Sequence, residues 1–573
     1  MNQLLNNLKK IKINNLFKKT KKNIDFEKDL NENEKHIIGY LKQVLQYHNR
    51  NDIELRVAGG WVRDKLLNYK NNKLDLDFAI NNTTGVEFVE MIQKYRTEKE
   101  LKTVYSEYTI KMNPEKSKHL ETVSITIDDF TIEFNALRSD FYDENSRIPQ
   151  IQVGTLLSDS LRRDLTINAL FYNINTLMVE DHSGYGLADL ENGIIRTPLE
   201  PFNTLTEDPL RAFRILRFAT KFNFKIEPLL YQHIKTINNN IIKKVSKERI
   251  YTEFFLMMSV REYSEQYFSY LLDTGIINSI FIVNDYIPSS ATLEQSVEIW
   301  KDSLEFIKTS NNLFPNTKEI ENLDFYITLI FYPLYKNCKL KKTEIISVLK
   351  EFKSPSKLIK QMERSFEVSE LFSILILKYI NQLKDSSNSN RDQKSLKEFL
   401  KEEEQENEIY ELIFSIKKYP DWRLSLYLSL VDLKYRINNN KIIIDGLAVS
   451  NNSNNNIKLI NLLEESLEIN SNINDETNIA IKKLINNSNV NGWLNSVLDS
   501  FNELFESHCI PLSQVPFLMD GRELMDLFPS IKEKQAKDSR FLNQLIKTTY
   551  FYQLKNNIKT KQELINYLNK DFL

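Results

Sequence analysis

Alternation of apolar and polar residues marks the first third of the chain. Glu54-Leu55-Arg56-Val57-Ala58 predicts a short strand, broken by Gly59-Gly60 and followed by a helix from Trp61 to Leu67. Leu74-Asp75-Leu76-Asp77-Phe78 alternates with period two, as a strand with one polar face does. Two further alternating runs, Val123–Ile127 and Phe130–Phe134, flank the polar pair Asp128-Asp129, and Phe171-Tyr172-Asn173-Ile174 predicts another strand. Together they describe a mixed α/β domain ending near residue 180. Beyond residue 205 the period changes. Leu, Ile and Phe recur three and four residues apart almost to the end, the signature of helices. Polar tracts at Asp385–Asp392 and Ser450–Asn456 read as loops, and Lys401–Glu408 as a solvated helix face.

Composition narrows the choices. The 573 residues leave room for several domains. A net charge of -2 excludes a polycation, so any nucleic-acid binding must use a local basic face. Two cysteines, Cys338 and Cys509, exclude a disulfide framework and a thiolate zinc site. No run approaches the ~20 apolar residues of a membrane span. Of twelve glycines, seven lie between Gly59 and Gly193. Against that scarcity, the pair Gly59-Gly60 marks backbone that cannot carry side chains. The first 24 residues hold seven lysines and no acid, which reads either as a basic tail or as a mitochondrial presequence.

Asp75 and Asp77, two apart on a strand, point the same way and favour a divalent cation between them. Alone, such a pair is also an ordinary solvated strand face. Upstream, Gly59-Gly60 opens a helix whose backbone amides form an anion site, with Arg63 in the first turn as a phosphate contact. A phosphate cradle beside a metal-binding pair suggests a nucleoside triphosphate with Mg²⁺. Glu133, polar-outward between Ile132 and Phe134, is the candidate third carboxylate of a two-metal site, with Asp128 and Asp129 as rivals.

Val57–Leu67 followed by Leu74–Asp77 resembles the opening motif of class II CCA-adding enzymes, the tRNA nucleotidyltransferases, of eukaryotic type. Arg162–Leu170, Asp181–Leu190, Glu207–Arg211 and Lys247–Glu253 resemble the family's later motifs in order, and Leu518–Leu527 and Thr560–Leu568 its eukaryotic tail. Two departures stand out: Asn68 where a glycine is expected, and no glycine around Pro529–Asp538.

The resemblance implies an α+β fold: a polymerase-beta-like head over residues 35–180, a helical neck over 181–270, a helical body over 271–440 and a tRNA-binding tail over 441–573, behind a basic extension at 1–34. It assigns Arg162, Arg163, Asp164 and Asn168 to the ribose and phosphates. Asp208 and Arg211 become the acceptor and donor that read cytosine and adenine, with Arg214 and Arg217 on the same helix face. Without it, Asp208-Pro209 reads as a helix cap, and Arg162-Arg163-Asp164 as a charged helix start. The activity it implies is addition of CCA to tRNA 3′ ends from CTP and ATP, with two Mg²⁺ ions (Mn²⁺ substituting) held by Asp75 and Asp77. The implied partner is the acceptor and upper stem of tRNA, with no membrane and no obligate protein partner. The expected location is cytoplasmic and nuclear, with residues 1–24 as the mitochondrial alternative. The alternatives are a poly(A) polymerase, an enzyme adding only CC or only A, and a non-catalytic RNA-binding relative.

Overall fold

The computed structural model describes residues 22–69, 76–101, 106–110, 122–128, 130–141, 150–281, 300–314, 323–336, 341–388, 409–410, 412–415, 422–438, 497–499, 501–503, 510–528 and 541–571. The basic stretch 1–21, Asp75, Asp129, residues 529–540, the charge run Lys401–Glu408 and the two polar tracts Asp385–Asp392 (beyond 388) and Ser450–Asn456 lie outside them. Contacts divide the chain into two units: one runs to Glu298 and takes in Glu351–Lys353, and the other comprises Ile299–Lys350 and Ser354–Leu573. The head and neck expected separately thus share the first unit.

The first unit is built on seven strands: β1 (Leu55–Ala58), β2 (Leu76–Ile80), β3 (Ser106–Ile110), β4 (Thr122–Ile127), β5 (Phe130–Ala136), β8 (Leu170–Asn173) and β9 (Met178–Asp181), in the order β3-β4-β5-β2-β1-β8-β9. A separate ribbon pairs β6 (Arg138–Phe141) with β7 (Gln150–Val153). Within this seven-stranded sheet, among the described residues, β2 and β5 alone pair in parallel, because helix α3 (Gly85–Glu98) carries the chain across one face between them. The period-two pattern explains which face is covered. Phe78, Ile132 and Phe134 are fully buried, and Phe134 stacks on Phe78 at 5.6 Å and meets Phe88 of α3 edge-on at 5.1 Å. Asp77 and Glu133 alternate onto the other face.

α1 (Glu32–Tyr47) begins with a reciprocal cap between Asn31 and Glu34, and presents Ile37, Ile38, Leu41 and Val44 to the core. After β1 the chain turns at Gly59 into α2 (Gly60–Leu66). Asn68 then closes that helix with φ +52, the left-handed conformation a glycine would supply there, which accounts for the departure in sequence. α4 (Leu156–Leu161) precedes β8, and beyond the sheet come α5 (Gly186–Asn192), α6 (Pro201–Glu207), α7 (Leu210–Phe222), α8 (Pro228–Lys244), α9 (Lys247–Met258) and α10 (Arg261–Asp273). One small parallel pair, Ile194–Ile195 with Lys225–Ile226, interrupts the helical texture.

The second unit is helical throughout its described residues. α11 (Lys301–Leu313), α12 (Leu323–Lys336), α13 (Lys342–Glu351), α14 (Ser356–Asn388) and α15 (Trp422–Asn438) carry its larger core. α12 is apolar nearly all round, with Phe325, Tyr326, Ile327, Leu329, Ile330, Phe331, Tyr332 and Leu334 all buried. The two tail segments foreseen from sequence meet in a second core: Met519, Leu524 and Phe528 pack with Leu545, Leu564 and Leu568. No described helix is long and apolar enough to cross a membrane.

Candidate active site

The edge of the sheet where β1 meets α2 opens into a cleft of about 700 Å³ lined by strands β1, β2 and β5 and by helices α2 and α7. Gly59 forms its floor at φ +74, ψ -123, and its N–H donates to the Leu170 carbonyl at 3.0 Å. A side chain there would stand 3.0 Å from the Arg163 guanidinium in a backbone region reserved for glycine. Gly60 differs. A Cβ on it would meet only Arg63 at an ordinary 3.5 Å, so the fold itself does not demand glycine at this position. What its missing side chain keeps open is the space in front of the helix amides.

Asp77 is exposed on the cleft wall beside Ala79, Asn135 and Arg138. Glu133 is its register partner across the parallel β2–β5 pair, which puts both carboxylates on one face. Asp128 occupies the β4–β5 turn at φ +47 and pairs with His36 of α1 and Arg96 of α3 at 3.1 Å each, contacts that tie the turn to these two helices. Among the described residues no group of three His, Cys, Asp or Glu side chains forms a metal cluster, and Asp75 is not among those residues.

Arg162 and Arg163 follow the C-terminus of α4 rather than starting a helix, an end that favours cations. Both bind one carboxylate, Asp159, three and four residues upstream; Arg163 reaches its second oxygen at 2.9 Å. Burial alone would raise the Asp159 carboxyl, but the two guanidinium charges outweigh it and hold it below the ordinary carboxylate range. Asp159 was not foreseen, although a carboxylate at that spacing from an arginine pair was visible. Arg163 also lies 5.0 Å above the Phe171 ring and donates to the Asn168 carbonyl at 3.2 Å.

Asp164 accepts from the Asn168 amide at 3.0 Å and pairs with Arg214 at 2.7 Å. Burial opposes its ionised form, yet Arg214 and Asn168 keep its pKa low. The turn Thr166–Asn168 is held from behind by Asp189, which accepts from the Thr166 hydroxyl at 2.7 Å. Gly186 must be bare here, since a Cβ would fall 2.7 Å from the Thr166 carbonyl. Asp181 accepts from the Ser183 hydroxyl and from the Gly184 and Leu187 amides. The Asp181–Leu190 segment therefore acts as the backing of the site.

Arg63 is held in a way the sequence does not show. Its guanidinium is buried against Phe218 and Phe222 at 5.0 and 4.8 Å and donates to Asp64 and Asn168. It braces α2 against α7 and the Thr166–Asn168 turn while still lining the cleft, 3.5 Å from where a Gly60 side chain would begin.

On the opposite wall, Asp208 is extended rather than helical. One of its oxygens accepts from the Leu210 amide at 3.2 Å and the other from Arg249 at 3.0 Å. Arg211, buried, donates to the carbonyls of Arg162 at 2.7 Å and Thr204 at 3.4 Å. Arg214 adds Glu253 at 3.6 Å to Asp164, and Arg217 binds Glu253 at 2.6 Å. The three-residue row of arginines faces the cleft, each one tied to an oxygen. Lys65, bridged to Glu34, and Lys221, over Tyr69 at 4.8 Å, complete the basic lining.

Residues 55–196 match the family model for the poly A polymerase head domain, and residues 223–283 that for the probable RNA and SrmB-binding site of polymerase A. The chain is 31% identical over 426 residues to the tRNA nucleotidyltransferase cca2 of Schizosaccharomyces pombe, covering 66% of this chain and 87% of that one. It is 37% identical over 318 residues to the mitochondrial CCA tRNA nucleotidyltransferase of Candida glabrata, covering 54% and 56%. With the mitochondrial CCA tRNA nucleotidyltransferase of Saccharomyces cerevisiae it shares 43% over 219 residues, 36% of this chain and 39% of the other. The chain thus spans most of one relative's length and about half or less of the other two.

Proposed function

Because the chain belongs to the tRNA nucleotidyltransferases, we propose that it adds CCA to the 3′ end of tRNA from CTP and ATP, without a nucleic-acid template and with release of pyrophosphate. The observation that carries this reading is the cleft of the first unit, where a glycine-floored helix start, Asp77 and the residues Asp208 and Arg211 face one another, with Glu133 in register beside Asp77 on the same face of the sheet.

The triphosphate lies along Gly59 and Gly60, where no side chain blocks the helix amides. Two carboxylates side by side offer the hard oxygen donors a divalent cation prefers, so Asp77 and Glu133, with Asp75, would hold Mg²⁺. When bound, such ions lower the pKa of the attacking 3′-hydroxyl and neutralise the phosphates. Arg162, Arg163, Asp164 and Asn168 hold the ribose, positioned through Asp159 and Asp189. Arg214 orders this wall through Asp164 and Glu253.

Cytosine and adenine each offer an exocyclic amine beside a ring acceptor, whereas uracil and guanine present the reverse order. Asp208 accepts from the amine and Arg211 donates to the ring nitrogen. A mismatched base leaves buried polar groups unpaired, at about 1–3 kcal/mol each. The acceptor and upper stem of tRNA bind through shape and phosphate contacts. The basic N-terminal stretch directs part of the protein to mitochondria, as the names of two relatives suggest.

The test is nucleotide addition to a tRNA lacking its 3′ end, with Mg²⁺ and CTP alone, ATP alone, then both, read by product mass. Two cytidines with CTP, and one CCA with both, are expected. A long adenosine ladder would make the protein a poly(A) polymerase. Binding without extension would reduce it to a scaffold.

A further inference from the structure

Asp208 is not waiting bare for a base. Its outer oxygen accepts from the Arg249 guanidinium at 3.0 Å, while its inner oxygen is fixed by the Leu210 amide. The Arg249 side chain is about half exposed (52%) and that of Asp208 much less (28%), so the pair sits at the cleft surface with its arginine outermost. Arg249 stands in the first turn of α9, where the Ser246 hydroxyl caps its amide. A cation gains nothing from that end of a helix, whose exposed amides carry partial positive charge. Among the described residues, Asp208 is the acid with which Arg249 forms an ion pair.

We propose that Arg249 is a stand-in for the base's exocyclic amine: it satisfies Asp208 in the empty cleft and is exchanged for the N4 amine of cytosine or the N6 amine of adenine as the nucleotide seats. This inference rests on the base-reading role assigned to Asp208 above. Both donors are N–H groups competing for one carboxylate oxygen. The exchange opposes binding only for bases that use Asp208, so Arg249 weakens hold on CTP and ATP selectively. It also supplies the return stroke. After each addition the nucleobase must leave, and Arg249 retakes the carboxylate that would otherwise be left unpaired.

The experiment compares dissociation constants of CTP and of pyrimidin-2-one ribonucleoside triphosphate, which is CTP without the exocyclic amine. Both carry the same triphosphate, so the loss of one positive charge near the cleft cancels in their ratio. In the parent protein CTP binds more tightly than the analogue; equal binding would overturn the base-reading role of Asp208 itself. In Arg249→Met the preference for CTP widens by about two- to fivefold, the span of an exposed ion pair released. Arg249→Lys, which keeps a donor within reach, returns it toward the parent value. With CTP preferred in the parent, an unchanged preference in Arg249→Met refutes the exchange, and a narrowed one makes Arg249 a residue that orients Asp208 instead.

Discussion

At the scale of single residues, the two adjacent glycines separate fold from function. Gly59→Ala forces a side chain into a glycine-only conformation against Arg163, at a cost on the order of 1–3 kcal/mol. Gly60→Ala fits the free protein, so its melting temperature should stay within a degree or two of the parent while the KM for CTP rises. Thermal unfolding and initial rates on the two variants distinguish these outcomes; equal loss of stability in both would contradict the assignment. Asp77→Ala, at an exposed strand position, should keep fold and tRNA binding but end extension, as single-nucleotide product analysis would read. The shared strand face of Asp77 and Glu133 and the special backbone at Gly59 were legible because strand alternation and glycine scarcity are local signals. How Arg63 is held was not. Whether a guanidinium points outward or under two phenylalanines depends on α7, some 150 residues away in the chain.

At the scale of elements, the site depends on ionised carboxylates that clamp arginines from different segments. Asp159 and Asp164 both titrate below the ordinary carboxylate range once folded. With the folded pKa depressed, their stabilisation is complete above the unfolded value of about 4 and is lost as pH falls through the folded values. Between pH 8 and 5 these two groups should leave the melting temperature unchanged, and below about pH 4 it should fall. Asp159→Asn should flatten part of that acid limb and cost about 3 kcal/mol at neutral pH, since it strands two arginines on a buried amide. A pH series of melting curves on both proteins checks this. Strands β1, β2, β4, β5 and β8, helix α2 and the helical texture beyond residue 205 followed from periodicity, whereas β3, β6, β7 and β9 and helices α1, α3, α4 and α5 were not foreseen. The arginine row on α7 was visible too, but its pairing with Asp164 and Glu253 was not, because those acids come from separate elements.

For the whole molecule, the two units make different demands. The first holds the described cleft, whereas the tail segments of the second close their own apolar cluster around Leu524 and Leu564. Leu564→Ala removes a fully buried side chain there and should cost about 2–5 kcal/mol of local stability. CTP affinity should be unchanged, because Leu564 lies outside the cleft, and calorimetric unfolding beside CTP titration would register both. The resemblance of the tail was readable from sequence, but the packing of residues 518–528 on 541–568 is a long-range fact that no local pattern states.

Within the cleft, Arg162 and Arg163 share Asp159, Arg214 holds Asp164, Arg217 holds Glu253, Lys65 holds Glu34 and Arg249 holds Asp208. The lining nevertheless carries ten lysines and arginines against six acids, so a positive surplus remains at the cleft. That surplus pulls on any nucleoside triphosphate alike once it comes within a Debye length, about 8 Å in physiological salt. Choice among four similarly charged triphosphates is therefore left to close range, where hydrogen-bond geometry rather than gross charge decides which one stays.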